Sequence, residues 1–557
     1  MAVDARTLTS ATTSSSMLTR RALLRGGAFA GLALATGLRS SRAAAACCDP
    51  PFTLGVASGD PTHNSVILWT RLANDPLNGG GIGSRQVEVN WEVATDEQMG
   101  RVVRRGSVVA APDSAHTVHV RVVGLEPDRW YWYRFKADGQ LSPVGRTRTF
   151  PAPGANAPQL RFAFVSCQHF EQGFYPAWAN LAEEDIDCVI HLGDYIYEDA
   201  ATALGVRTHV PASETMSLAD YRNRHAQYRS DPSLQAAHAR FPLIVTWDDH
   251  EVEDNYAADV SVNNGDLDPT NDVSAADFRA RRAAAYRAFF EHMPLDPLRG
   301  PDGADAMLFR RFSWGRLAEI SVLDTRQFRT DQPCAGALDL FPPAGDDLVI
   351  PCGQELDPNA TMTGAMQEAW LLDGLRRSRA RWNIIAQQVM MAALDFGPGV
   401  AAFDPNVPAG LSLRNVDAWD GYVAARTRLL EFVRDQHVEN LVVLSGDTHT
   451  SFVADLKTDF ADATSPVVGT EFVGPSITSV FPPPLIPVVQ AALLDPRNAH
   501  VKFFEALLHG YVRCTVTPEE WRSDYRVVAT TLSPVSPVHT LASFVVENGQ
   551  PGAALVP

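Results

Sequence analysis

The chain has 557 residues, of which 45% are hydrophobic and 20% charged, with a formal net charge of −18 at pH 7. This composition excludes a disordered chain, and the length exceeds what one hydrophobic core usually serves, so two domains, or one large domain with an added module, are expected. The acidic balance excludes broad binding to nucleic acid or anionic membranes through bulk charge; a local basic pocket for one phosphate remains open, and no stable nucleic-acid complex is expected.

Residues 1–46 read as an export signal. A basic segment carries the pair Arg20-Arg21, a soft apolar run follows at 26–38, and four alanines stand at 43–46. The apolar run is shorter than the roughly 20 residues that span a bilayer, so the mature chain is expected to have no transmembrane segment. The arginine pair points to the twin-arginine export machinery and to a secreted or cell-envelope location. Losing residues 1–46 removes six Arg and one Asp, which takes the net charge from −18 to −23.

Residues 52–150 alternate with period two. Val87, Val89, Trp91 and Val93 share one face, as do Val118, Val120 and Val122, and Trp130 to Phe135 places aromatics on both faces. A small antiparallel β-sandwich is expected, without a catalytic constellation. Its Leu125-Glu126-Pro127, followed by Tyr131 and Tyr133, resembles the strand entry of fibronectin-type modules.

Pro151-Ala152-Pro153-Gly154 marks a linker, and the pattern changes for a second domain over residues 158–557. Strands are expected at 160–165, 188–192, 243–246, 317–323, 383–386 and 441–444, apolar throughout and therefore covered on both faces. Helices are expected at 276–291, 366–379 and 424–435, giving a layered α/β domain. Loop-rich inserts occupy 259–272 and 481–484. Among seven cysteines, an odd number for an exported protein, Cys334 and Cys352 bracket a Pro/Gly/Asp-rich loop and are the expected disulfide, because closing such a loop restrains the unfolded chain.

Polar residues of metal-ligand type follow these strands repeatedly. Ser166-Cys167-Gln168-His169 follows the first, Gly193-Asp194-Tyr195-Ile196-Tyr197-Glu198 the second, Trp247-Asp248-Asp249-His250-Glu251 with Asp254-Asn255 the third, and Gly446-Asp447-Thr448-His449 the last. In open α/β sheets the crevice beyond the strand carboxyl ends is where ligands bind. Each ending alone reads as readily as a turn, a small buried cysteine or a structural histidine. Together they supply a mixed hard and soft donor set, which suits a transition metal beside a harder, oxygen-bound ion, in a two-metal centre whose bridging carboxylate and activated water act on an ester.

Gly-Asp-x-x-Tyr, Trp-Asp-Asp-His-Glu and Gly-Asp-Thr-His are similar to the motifs of calcineurin-like metallophosphoesterases and purple acid phosphatases. The usual opening Asp-x-His is replaced by Ser166-Cys167-Gln168, which with Gly-Asp-Tyr-Ile-Tyr-Glu resembles the PhoD family of alkaline phosphatases and phosphodiesterases. Further likeness lies in Tyr221-Arg222-Asn223-Arg224-His225, in the run from Tyr286 to Pro294, in Asp324-Thr325-Arg326-Gln327 and, for an N-terminal module, in Gly55 to Pro61. The resemblance implies an α/β/β/α sandwich preceded by the small β-sandwich. It makes Asp194 the bridging carboxylate, Tyr197 a phenolate on ferric iron (Fe3+) with Cys167 and His449, and Asn255 and Asp447 ligands of calcium (Ca2+). Asp249 and His250 hold the positions of a metal ligand and a substrate-contacting histidine, with Asp248 open to exchange with Asp249. Arg281 is the expected phosphate clamp, with Arg282 as its alternative. The implied reaction is hydrolysis of phosphate mono- and diesters by metal-activated water under alkaline conditions, on small phosphate esters or on exposed phosphodiester polymers or lipids. Two other readings stand beside it: a phosphodiesterase confined to lipid or cell-wall diesters, and a non-catalytic binding module braced by metals.

Overall fold

The computed structural model describes residues 50–203, 205–262, 264, 272–334, 348–403, 407–408 and 410–557. The expected export signal lies outside the described residues.

Apolar strands with no polar face need a partner on each side, and the fold meets this by packing two sheets against each other. One sheet has ten strands; its parallel centre runs Leu160–Val165, Cys188–His191, Pro242–Val245, Val56–Gly59. The other has seven, with Ala318–Val322, Trp382–Ala386, Leu441–Ser445 and Val467–Val473 parallel at its centre. Phe162, Phe164, Ile190 and Ile244 of the first sheet meet Ile320, Ile384, Val442 and Phe472 of the second in one core. The opposite faces are covered by helices. Ala163, Val189 and Leu243 pack against Trp178, Tyr228, Tyr286 and Phe289, while Ile385, Val443 and Val473 pack against Leu371, Leu429 and Val433. The order of layers is helix, sheet, sheet, helix.

The helices start where the sequence provides caps. Ser274 accepts from the Asp277 amide at the start of Ala275–His292, Ser217 and Asp220 form a capping box ahead of Leu218–Arg229, and Asp231 with Pro232 opens Pro232–Arg240.

The N-terminal residues build a sandwich that shares a sheet with the rest of the chain. Val87–Ala94, Val102–Ala110, Trp130–Ala137, Gln140–Leu141 and Gly145–Arg148 form a five-stranded sheet of their own. Its Val87, Val89, Val93, Tyr133 and Phe135 pack on Val56, Val66, Leu68, Val118, Val120 and Val122, which belong to strands at one edge of the ten-stranded sheet. Residues from Asp49 onward accordingly form one compact unit. Gly59 permits this join, since a Cβ there would lie 2.4 Å from the Pro294 carbonyl oxygen and 2.8 Å from that of Leu243. At the turn before Trp130–Ala137, the Glu126 amide donates to the Tyr131 hydroxyl at 2.9 Å. Cys334 and Cys352 are joined by a disulfide.

Candidate metal centre

The parallel strands of both sheets end on the same side, and the loops that leave them carry the site. Leu160–Val165 leads to Cys167, Cys188–His191 to Asp194 and Tyr197, Pro242–Val245 to Asp248, Asp249 and His250, Ala318–Val322 to Arg326, and Leu441–Ser445 to Asp447 and His449. The backbone turns sharply at the donors themselves. Cys167, Asp194, Asn255, Asp447 and His449 have φ of 57°, 56°, 51°, 63° and 55°, a region that few non-glycine residues enter and that collects at functional sites. Gly193, at φ 117°, lets two loops touch, because a Cβ on it would stand 2.6 Å from the Asp248 amide nitrogen. Glu251 then ties the same loops, accepting from the amides of Tyr195 (2.6 Å), Asp248 (2.7 Å) and Asp194 (3.1 Å). Burial and the charge of Asp194 push the Glu251 carboxyl up to about 8.

Two groups of donors meet at Asp194. On one side the ligand atoms of Cys167, Asp194 and His449 lie within 4.8 Å of one another. The Tyr197 hydroxyl completes this group, donating to Asp194 Oδ2 at 2.7 Å, standing 3.0 Å from His449 Nε2 and accepting from Ser479 Oγ at 2.7 Å. Burial, reinforced by Asp194, raises both the Cys167 thiol and the Tyr197 phenol well above their usual ranges, so both hold their protons in the metal-free chain. On the other side Asp194 groups with Asp249 and His250, and Asp249 with Asp248 and Asp447. Asn255 joins through its backbone, its amide donating to Asp249 Oδ2 at 2.7 Å.

A buried guanidinium runs through the acidic side. Arg326 contacts Asp248, Asp417 (2.8 Å), Asp447 (2.9 Å) and Asp249 (3.5 Å). Although burial opposes ionisation of Asp249, Arg326 and His250 outweigh it and hold that carboxyl below the usual range; Asp248 and Asp447, for which burial prevails over Arg326, are raised. His250 Nδ1 lies 2.8 Å from Glu198 Oε2. Burial pulls this imidazole down, but Glu198, Asp249 and Asp194 overcome it and raise its pKa well above the ordinary value.

The donors fit metal ions in kind. Asp194 Oδ1 is buried with no hydrogen-bond partner, as is Asp249 Oδ1, and a thiol, a phenol, an imidazole and a carboxylate at one point match a transition metal better than any hydrogen-bonding role. A bound cation reverses the pKa logic of such a site and deprotonates a coordinating thiol.

Thus Cys167, Asp194, Tyr197, Asp249, His250, Asp447 and His449 come together, with Asn255 beside Asp249. Arg281 is already engaged: its Nε, Nη1 and Nη2 donate to Tyr221, Glu253 and Glu214 at 2.9, 2.8 and 2.6 Å, and the charge of Glu198, the partner of His250, acts on it. Arg282 is engaged by the Ala304 carbonyl, Asp259 and Asp305. Sequence reasoning gave no role to Glu198, Glu251, Asp417 or Ser479, and cited Arg326 only within a motif. Glu198 and Glu251 were accessible as carboxylates beside named donors, whereas Ser479 follows Val467–Val473 and Asp417 follows Arg414–Asn415, two strands that sequence reasoning did not place.

Paired sheets whose parallel strands end in converging Cys, Asp, Tyr and His donors define an α/β protein built around a metal-type site. Residues 162–525 match the family model described as PhoD-like phosphatase, and residues 38–151 match that of the PhoD-like phosphatase N-terminal domain. The sequence is 46% identical to alkaline phosphatase D of Bacillus subtilis (strain 168) over 545 residues, covering 96% of this chain and 88% of that protein. The fold is similar to the solved "Structure of PhoD", with a TM-score of 0.82, 45% identity, and coverage of 92% of this chain and 93% of that one. The chain belongs to the PhoD-like phosphatase family.

Proposed function

We propose that this protein is an exported, metal-dependent alkaline phosphatase that hydrolyses phosphate mono- and diesters. The observation that carries the reading is Asp194, shared by a Cys/Tyr/His donor group and an Asp-rich group, with one oxygen still unpartnered. Cys167, Tyr197, His449 and Asp194 would hold ferric iron, and Asp194, Asn255, Asp447 and Asp249 would hold calcium, in line with thiolate and phenolate on one side and oxygen donors on the other. When bound, such ions activate water and neutralise charge at phosphorus.

The chain's own residues supply orientation and a proton. Glu198 holds His250 at Nδ1 and stabilises its protonated form, so His250 presents a proton toward a phosphate oxygen or leaving group on the donor side. Arg281 serves as phosphate clamp once Glu214, whose side chain is 48% exposed, yields its place on the guanidinium to substrate. The Glu126 to Tyr131 bond resembles the corner of fibronectin-type sandwiches and supports that reading of the N-terminal strands. The Arg20-Arg21 signal supports secretion by the twin-arginine machinery, and among the described residues no helix is long and apolar enough to cross a membrane.

The test is hydrolysis of matched chromogenic mono- and diesters by the mature protein, with calcium supplied or chelated. Calcium-dependent turnover is expected, and the ratio of rates assigns the substrate class. A folded, metal-loaded protein with no turnover of either ester would contradict the proposal.

A further inference from the structure

Arg326 follows the strand Ala318–Val322 and is fully buried. Its Nη1 reaches both oxygens of Asp417 at 2.8 Å, its Nη2 reaches Asp447 Oδ1 at 2.9 Å and Asp249 Oδ1 at 3.5 Å, and its Nε meets Asp248 Oδ1. Asp417 Oδ1 is further engaged, accepting from Arg329 at 2.6 Å and from Gln332 at 3.0 Å. Among the described residues Asp447 is held through Oδ1, which leaves its second oxygen for a ligand. Among the described residues, Arg326 and Arg329 are the guanidiniums that touch these four aspartates.

We infer that Arg326 is a positioning residue for the oxygen-rich metal position: its planar fork fixes Asp248, Asp249 and Asp447 at ligand spacing and acts as their internal counter-cation, so that calcium enters a preformed cage. The inference rests on the metal centre proposed above. A buried carboxylate deprived of its cation is strongly destabilising, and a lysine restores the charge but not the fork that meets several carboxylates at once. Arg329 remains on Asp417 in either variant and leaves the other three aspartates without a guanidinium.

The experiment compares wild type, Arg326→Met and Arg326→Lys as mature proteins, reading thermal midpoint with calcium added or chelated and calcium half-saturation by titration calorimetry. In Arg326→Met the midpoint is expected to fall far more under chelation than with calcium, because the ion replaces the missing charge. In Arg326→Lys, half-saturation is expected to rise about tenfold or more, the scale seen when a residue that orients metal ligands is lost. Equal loss of midpoint in both conditions for Arg326→Met, or an unchanged half-saturation for Arg326→Lys, would overturn the inference, since a merely structural brace moves stability and not calcium affinity. Should Arg326→Met fail to fold in either condition, the lysine variant decides alone. A wild type that binds no calcium defeats the metal reading itself, and is distinguished because the unmutated protein then shows no response.

Discussion

The two sides of Asp194 differ in what holds their donors before any metal arrives. On the acidic side the carboxylates are gathered by a guanidinium, with Arg326 in contact with four aspartates. On the other side no guanidinium touches the side chains of Cys167, Tyr197 or His449 among the described residues; these meet hydroxyls, each other and Asp194. One half is braced by a buried guanidinium, and in the other burial and Asp194 keep the Cys167 thiol and the Tyr197 phenol protonated. A site of this kind can distinguish two metals by when, as well as how, its ligands become anionic.

The comparison breaks most completely if Asp194 is removed, because it belongs to both halves. Asp194→Asn is expected to lower kcat/KM for a chromogenic ester by more than about 10³-fold, a loss of at least ~4 kcal/mol of transition-state stabilisation, with the fold retained by circular dichroism. Glu198→Gln acts on the acidic half alone. Losing the partner of His250 Nδ1 is expected to reduce kcat about 10- to 100-fold with little change in KM and, because the imidazole then gives up its proton more readily, to draw the alkaline limb of the pH profile to lower pH. An equal effect on kcat and KM would instead assign Glu198 to substrate binding.

A third expectation lies away from the donors, where the strand Ser65–Arg71 meets the helices. His225 stacks on His292 at 5.0 Å, Arg71 Nη1 lies 2.7 Å from His292 Nε2, and Arg229 contacts His238. Burial, followed by Arg71 and Arg229, lowers His225 to about 3, and burial with neighbouring arginines lowers His238 and His292 as well. A histidine depressed in the folded state binds fewer protons there than in the unfolded chain, so its contribution is present above about 6.5 and is lost as pH falls toward the folded value. Both ring nitrogens of His225 lack partners. His225→Phe is therefore expected to soften the fall of the thermal midpoint between pH 7 and 5, by up to ~1.4 kcal/mol per pH unit. Identical slopes for the two proteins would show that His225 is not in that balance.

Much of the second domain was legible because its strands carry no polar face and its helices carry caps. The strand expected at 160–165 is Leu160–Val165, that expected at 441–444 is Leu441–Ser445, and the helix expected at 276–291 is Ala275–His292. The donors were legible because each follows a strand directly. The sharing of a sheet by the N-terminal strands was not, since alternation says which side chains share a face and not which neighbour a strand joins: Val56–Gly59 pairs in parallel with Pro242–Val245, more than 180 residues away. Arg326 was hidden for a related reason. An arginine after a strand reads as a solvated cation, and only three-dimensional convergence places four aspartates around it.

The most direct test of two unlike halves is the visible absorption spectrum of the mature, metal-loaded protein beside that of Tyr197→Phe. A tyrosinate-to-iron band in the wild type, absent from the variant while calcium binding persists, is the expected result. A colourless wild type, or a band unchanged by the substitution, would contradict the assignment of Cys167, Tyr197 and His449 to a ferric position.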